Sequence, residues 1–227
     1  MGAMLETVKS GEPALPKITG MSAFQYLARD PKTQRRFDAG IARIADTDNA
    51  SVASVYDFSG FRRIVDVGGG QGGLLCHILP RAPKARGVLF DQPQVVANPS
   101  RLKEAGLLSR CDCVAGDCFE AVPAGGDCYI IKAVLHDFSD EECVRILRNC
   151  REVVADDGRV LVAERFVPSS SDGPHSNFLM DLLLMVVHTG RERRDFEFHG
   201  LFAEAGLKVG GFYRTEARFH VVEGLPV

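Results

Sequence analysis

The chain has 227 residues, 45% of them apolar and 25% charged, with a net charge of −3. That length supports one sizeable core with a small appendage. The near-neutral charge argues against a nucleic-acid partner. The longest apolar run, 178–187, contains Asp181 and is too short to span a bilayer.

Residues 11–20 carry Pro13 and Pro16 and read as an extended lead-in. Phe24, Leu27, Phe37, Ile41 and Ile44 then recur at helical spacing, interrupted by Asp30-Pro31, which predicts two helices joined at the proline. Asp46-Thr47-Asp48-Asn49 reads as a polar break, and 51–56 as a further short helix or turn. From Phe61 onward, β and α segments alternate. Strands are predicted at 63–67, 87–90, 111–115, 128–133 and 160–163. Helices are predicted at 72–79, 99–105, 139–154, 177–188 and 196–205. Ser139 and Glu142 have the spacing of a capping box. Two β-like runs, 208–213 and 218–222, close the chain with a tight connection and predict an antiparallel hairpin. The fold class is therefore α/β: a mostly parallel, Rossmann-like sheet with helices on both faces, a C-terminal antiparallel hairpin and a helical N-terminal lead-in. Residues 1–57 form the lead-in and 58–227 the main domain.

Seven cysteines are too few and too unevenly spaced for a disulfide framework. Cys111, Cys113, Cys118 and Cys128 read as small buried hydrophobes, and no second well-spaced pair completes a zinc site, so no metal is expected. No signal peptide is visible at 1–10, and the expected setting is the cytoplasm. Basic clusters at 35–36, 62–63 and 191–194 read as solvated faces.

The most informative stretch is Asp66-Val67-Gly68-Gly69-Gly70-Gln71-Gly72, between an apolar strand and a helix. Strand, glycine turn and helix make a nucleotide-binding crevice, where backbone and helix N-terminus approach the ligand. Gly68, Gly70 and Gly73 also fit G-x-G-x-x-G, so a nicotinamide or flavin dinucleotide stays open. Asp66 would repel a pyrophosphate and attract an ammonium. That favours S-adenosylmethionine, which carries an ammonium and a sulfonium but no phosphate. Asp91, Asp117, and Lys132 with His136 end successive strands on the same edge of the sheet. Asp91 lies about twenty residues after the glycine loop, at the distance of a ribose-binding carboxylate.

These segments resemble the catalytic domain of small-molecule O-methyltransferases of the plant caffeate and bacterial polyketide type, over about 58–223. The resemblance rests on Val65-Asp66-Val67-Gly68-Gly69-Gly70-Gln71-Gly72, Phe90-Asp91-Gln92-Pro93, Gly116-Asp117-Cys118-Phe119, Lys132-Ala133-Val134-Leu135-His136-Asp137-Phe138, Ala163-Glu164 and Gly190-Arg191-Glu192-Arg193. It implies that Gly68, Asp91, Asp117, Cys118 and Lys132 line the S-adenosylmethionine site. It implies His136 as general base, with Glu164 and Glu192 flanking it. A phenol with a pKa of about 10 can lose its proton to an imidazole titrating near 7. Met180, Leu184 and His188 are weaker candidates for contact with a small hydroxylated acceptor. Phe138 stands where the family usually has Trp, and Arg194 where it usually has Thr. Arg194 could draw Glu192 away from His136. The family's helical dimerisation domain is absent from these residues, since 1–57 resemble only the segment joining the two domains; a homodimer stays open. The competing readings are a cofactor-binding domain that is catalytically incomplete, and a family variant performing hydroxylation or decarboxylation.

Overall fold

The computed structural model describes residues 3–168 and 175–227, with the backbone alone at 24, 31, 35, 37–39, 41–44 and 175. The side chains of Phe24, Phe37, Ile41 and Ile44, which carry the N-terminal helical spacing, therefore lie outside the described part. Four helices open the chain: α1 (Met4–Ser10), α2 (Ala14–Thr19), α3 (Ala23–Ala28) and α4 (Pro31–Val55). Strands and helices then alternate as β1 (Arg63–Val67), α5 (Gly73–Arg81), β2 (Arg86–Asp91), α6 (Pro93–Val96), α7 (Ser100–Glu104), β3 (Cys111–Ala115) and β4 (Cys128–Lys132). They continue as α8 (Asp140–Val153), β5 (Arg159–Arg165), α9 (His175–Val187), α10 (Glu197–Glu204), β6 (Leu207–Tyr213) and β7 (Phe219–Pro226).

The lead-in is helical where an extended segment was expected. Gly11 and Gly20 take left-handed conformations and close α1 and α2 as C-caps, so the glycines end helices and do not prevent them. The break at Asp30-Pro31 is as expected, with Asp30 capping α4 and Pro31 in its first turn. The polar stretch Asp46–Asn49 does not interrupt α4, which runs unbroken for 25 residues. Its polar groups are partnered by the rest of the molecule. Asp46 accepts from Arg101 and lies 3.2 Å from His77, and Asp48 pairs with Arg218 at 2.7 Å.

The seven strands form one sheet in the order β3-β2-β1-β4-β5-β7-β6. All pairings are parallel except those of β7, which runs antiparallel between β5 and β6. Both faces are covered. Val65, Tyr129, Ile131, Val160 and Val162 pack under α8 and α10, while Ile64, Cys128, Ile130 and Leu161 pack on the side of α4 and α5. Burial on both faces explains why the strands read as continuous apolar runs. The chain leaves β1 to one side for β2 and returns on the other as β4, so a crevice opens at the carboxyl ends of these strands.

Candidate active site

β1 ends at Val67, and the chain turns through Gly68, Gly70 and Gly72, all with positive φ (71°, 60° and 84°). Space also requires glycine at two of them: a Cβ would lie 2.6 Å from Val134 at Gly68 and 2.5 Å from Leu102 at Gly72. Gly70 has nothing within 4 Å of that position, so its backbone faces open space. Its N–H donates to Asp91 Oδ2 at 2.8 Å, and Asp91 Oδ1 accepts from Gln92 N–H at 2.7 Å. Asp117 Oδ1 accepts from Phe119 N–H at 2.9 Å. A cavity of about 540 Å³ opens over these strand ends, walled by Gly68, Asp91, Asp117, Cys118, Phe119 and Phe138. The Phe119 and Phe138 rings meet edge to face, 4.9 Å apart, and Ser22 and Gln25 close the wall from α3. Those two residues form a capping box, a signal present in the sequence that the strand-end argument passed over.

Asp66 and Lys132 do not reach the cavity wall, because strand alternation turns both to the α4–α5 side. Asp66 lies beneath Gly69, where a Cβ would come within 2.6 Å of Oδ2. That oxygen is buried without a donor. Burial pushes Asp66 up to about 7, Lys132 pulling it down and Asp91 adding to the rise. Lys132 Nζ sits 4.2 Å over the Phe219 ring, and burial lowers its proton affinity.

His136 lies in the turn after β4. Ala133 enters that turn at φ 54°, a conformation rare for residues other than glycine, and redirects the chain at the cavity edge. Residues 135–137 make one 3₁₀ turn. Glu164, on β5, fixes it from behind: Oε1 accepts from Val134 N–H at 3.1 Å and Leu135 N–H at 2.9 Å. Its other oxygen faces His136 Nδ1 at 3.6 Å, and Glu192 Oε1 faces the same nitrogen at 3.3 Å. Two carboxylates on Nδ1 place the proton there and leave the Nε2 lone pair free in the neutral ring.

The imidazole does not titrate near 7 as expected. Burial opposes its charge, but the Glu164 carboxylate, the hydrogen bond to Glu192 and the Asp137 charge outweigh burial and raise it to about 9. Asp137 was not foreseen in that role; its Oδ1 lies 3.8 Å from His136 Nε2 and 3.4 Å from His188 Nε2. His188 is thereby brought to the His136 turn. Leu184 is buried and Met180 half-buried on α9, which ends one residue before His188. The ligand atoms of His136, Glu164 and Glu192 lie within 4.8 Å of one another, a spacing that would also suit a divalent ion.

Arg194 is exposed, and no described ion pair joins it to Glu192. Arg193, read as part of a solvated basic face, is instead 3% exposed. It donates to Leu135 O at 3.0 Å and Phe138 O at 2.9 Å, and pairs with Asp140. Its signal was its place beside Glu192. Cys113, read as buried, is exposed: on the edge strand β3 the apolar core covers Cys111, on the same face, and does not extend to Cys113.

The O-methyltransferase domain family matches residues 2–208. The chain belongs to that family. It is 40% identical over 225 residues to the phenazine O-methyltransferase PhzM of Lysobacter antibioticus, covering 99% of this chain and 66% of that protein. The mitomycin 7-O-methyltransferase MmcR superimposes with a TM-score of 0.94 at 35% identity, over 100% of this chain and 67% of that one. The O-methyltransferase NcsB1 of neocarzinostatin biosynthesis, solved with S-adenosyl-L-homocysteine and 1,4-dihydroxy-2-naphthoic acid, gives 0.89 at 32% identity, over 99% and 67%. This family member thus spans about two thirds of the length of these relatives. Among its described residues, no helix is long and apolar enough to cross a membrane.

Proposed function

We propose that this chain carries out methyl transfer from S-adenosylmethionine to a hydroxyl of a small aromatic acceptor, with His136 as the proton acceptor. The observation that carries this reading is the buried imidazole held between Glu164 and Glu192, adjoining the Asp137 wall of the cavity.

The residues fit the donor. Gly70 offers open backbone, the Asp91 carboxylate is oriented by two backbone N–H groups at the position of a ribose diol, and Asp117 with Phe119 offers an acceptor and a ring face for adenine. When bound, S-adenosylmethionine supplies a methyl group on a sulfonium already activated for in-line displacement. The protein's share is alignment and proton removal. Glu164 and Glu192 hold the His136 ring by Nδ1, present Nε2 to the acceptor hydroxyl, and stabilise the imidazolium that forms. The NcsB1 complex supports an aromatic acceptor, and hydroxylation or decarboxylation draws no support from relatives that are methyltransferases.

The test is His136→Ala. Turnover on a phenol panel is expected to fall by about 10²- to 10⁴-fold with S-adenosylhomocysteine affinity retained. Parent-level turnover in that variant would refute the base assignment, and a product lacking the mass of one added methyl would refute the transfer itself.

A further inference from the structure

The apolar run 178–187 carries a single charged residue, Asp181, and the mechanism above does not use it. The run forms most of α9, a helix turned against the usual amphipathic pattern. Leu179, Leu182 and Leu183 are exposed, while Asn177 is 1% exposed and Asp181 half-buried. Asn177, Asp181, Leu184 and His188 follow at spacings of four, three and four residues, so they share one stripe of the helix. The His188 N–H extends the helical bonding, donating to Leu184 O at 2.7 Å.

That stripe meets each segment that brings a carboxylate to His136. Asn177 Nδ2 donates to Phe166 O at 2.9 Å, two residues beyond Glu164. Asp181 Oδ1 accepts from the Glu192 N–H at 2.9 Å. His188 Nε2 lies 3.4 Å from Asp137 Oδ1. Of the three carboxylates, Glu192 depends most on such support. Glu164 is fixed by two backbone N–H groups, and Asp137 belongs to the His136 turn itself. Glu192 Oε1 faces His136 Nδ1, and its Oε2 is buried without a partner. With no other bond on the carboxylate, its aim at the ring follows from where its main chain stands. The loop residues around it are held to other elements: Thr189 to Glu142, and Arg191 to Asp140 and Glu197. At Glu192 the hold comes from α9. The charge of Asp181 is not what this position requires. Burial and the Glu192 and Glu197 charges push its carboxyl up, against the Glu192 N–H and Arg191. Its contribution is an acceptor oxygen.

We propose that Asp181 is a positioning residue for the proton acceptor: from α9 it holds the main chain of Glu192 so that this carboxylate meets His136 Nδ1. This rests on the proposed function, in which His136 takes the hydroxyl proton.

NMR titration of histidine-labelled protein, with His136→Ala assigning the signal, tests this without turnover. The parent imidazole is expected to titrate at about 9. Asp181→Ala removes the acceptor oxygen. The His136 midpoint is expected to fall by about one pH unit, and kcat at the plateau by about tenfold, with S-adenosylhomocysteine affinity within about twofold. Asp181→Asn keeps an oxygen for the Glu192 N–H. It is expected to leave the midpoint in place and kcat within about twofold. Asp181→Leu suits the apolar helix but has no acceptor. It is expected to match the alanine variant, and covers the case in which alanine loosens α9. In a Glu192→Gln background, Asp181→Ala is expected to move the midpoint no further, because the two changes act on one contact. A parent-like midpoint in Asp181→Ala or Asp181→Leu would overturn the inference. So would an equal fall in Asp181→Asn, which would trace the effect to charge, or a further fall in the Glu192→Gln background. A parent that transfers no methyl would defeat the base assignment, while the titration still decides whether Asp181 places Glu192.

Discussion

At the scale of single residues, the imidazole and its carboxylates set the pH behaviour. His136 is held at about 9, so at neutral pH it is mostly imidazolium, which cannot accept a proton. Turnover is therefore expected to climb through pH 7 and 8, about tenfold per unit, and to level near 9. Glu192→Gln removes a hydrogen bond and a negative charge that favour the imidazolium. The midpoint of the rate profile is expected to move to lower pH, with the plateau reduced about 10- to 100-fold. A variant whose midpoint stays in place would show that Glu192 does not govern the proton on His136. The same group of three could hold a metal ion by spacing alone. Dialysis against a strong chelator is expected to leave the rate unchanged, and a loss restored by one divalent ion would reassign these residues as ligands.

Asp66 gives the opposite pH dependence in stability. Its carboxyl is raised to about 7 chiefly by burial, so the folded chain keeps a proton that the unfolded chain has lost. The protein is penalised progressively as pH rises from about 4 to 7, and fully above that window. Asp66→Asn removes the penalty. It is expected to leave the melting temperature unchanged at pH 4 and to raise it at pH 8 by roughly 2–4 °C per kcal/mol recovered. Scanning calorimetry at the two pH values checks this, and a gain of equal size at both would remove ionisation as the cause.

At the scale of elements, legibility in the sequence followed how local the signal is. β1, β4 and β5 could be read because both faces of each are buried and their apolar runs are uninterrupted. The start of α8 could be read from Ser139 and Glu142, whose side chains do form the reciprocal cap. The middle of α4 could not. Asp46, Asp48 and Asn49 look like a loop until Arg101, His77 and Arg218 are placed beside them, and those partners come from 31 to 170 residues away. The ion pair of Asp48 with Arg218 ties α4 to the start of β7, with Asp48 3% and Arg218 37% exposed. Asp48→Ala is expected to cost about 1–2 kcal/mol, less than a fully buried pair because Arg218 can turn to water. Denaturant titration measures it, and a change within error would mean that α4 is held by apolar packing alone.

At the scale of the whole molecule, the candidate site joins three segments far apart in the chain: the turn at 134–138, the end of β5, and the loop at 190–193. Their residue types were visible as motifs. Their mutual arrangement was not, because it depends on long-range contacts that make no local pattern. Arg193 supplies most of that arrangement. From the loop, its guanidinium bonds the carbonyls of Leu135 and Phe138 on both sides of His136 and the carboxylate of Asp140 at the start of α8. Gly190 allows the approach, since a Cβ there would lie 2.2 Å from the His136 carbonyl. The loop thus carries Glu192 to the imidazole and clamps the backbone that carries the imidazole. Arg193→Lys keeps the charge but cannot reach both carbonyls and Asp140 together. It is expected to lower kcat by about tenfold or more, since small misplacement of a reacting group is costly, and to leave S-adenosylhomocysteine affinity within about twofold. That split follows from the geometry, because the hydrogen bonds described for Gly70, Asp91 and Asp117 run among Gly70, Asp91, Gln92, Asp117 and Phe119, away from this loop. Parallel loss of nucleoside affinity and turnover would mean that Arg193 supports the fold generally and has no special hold on the His136 turn.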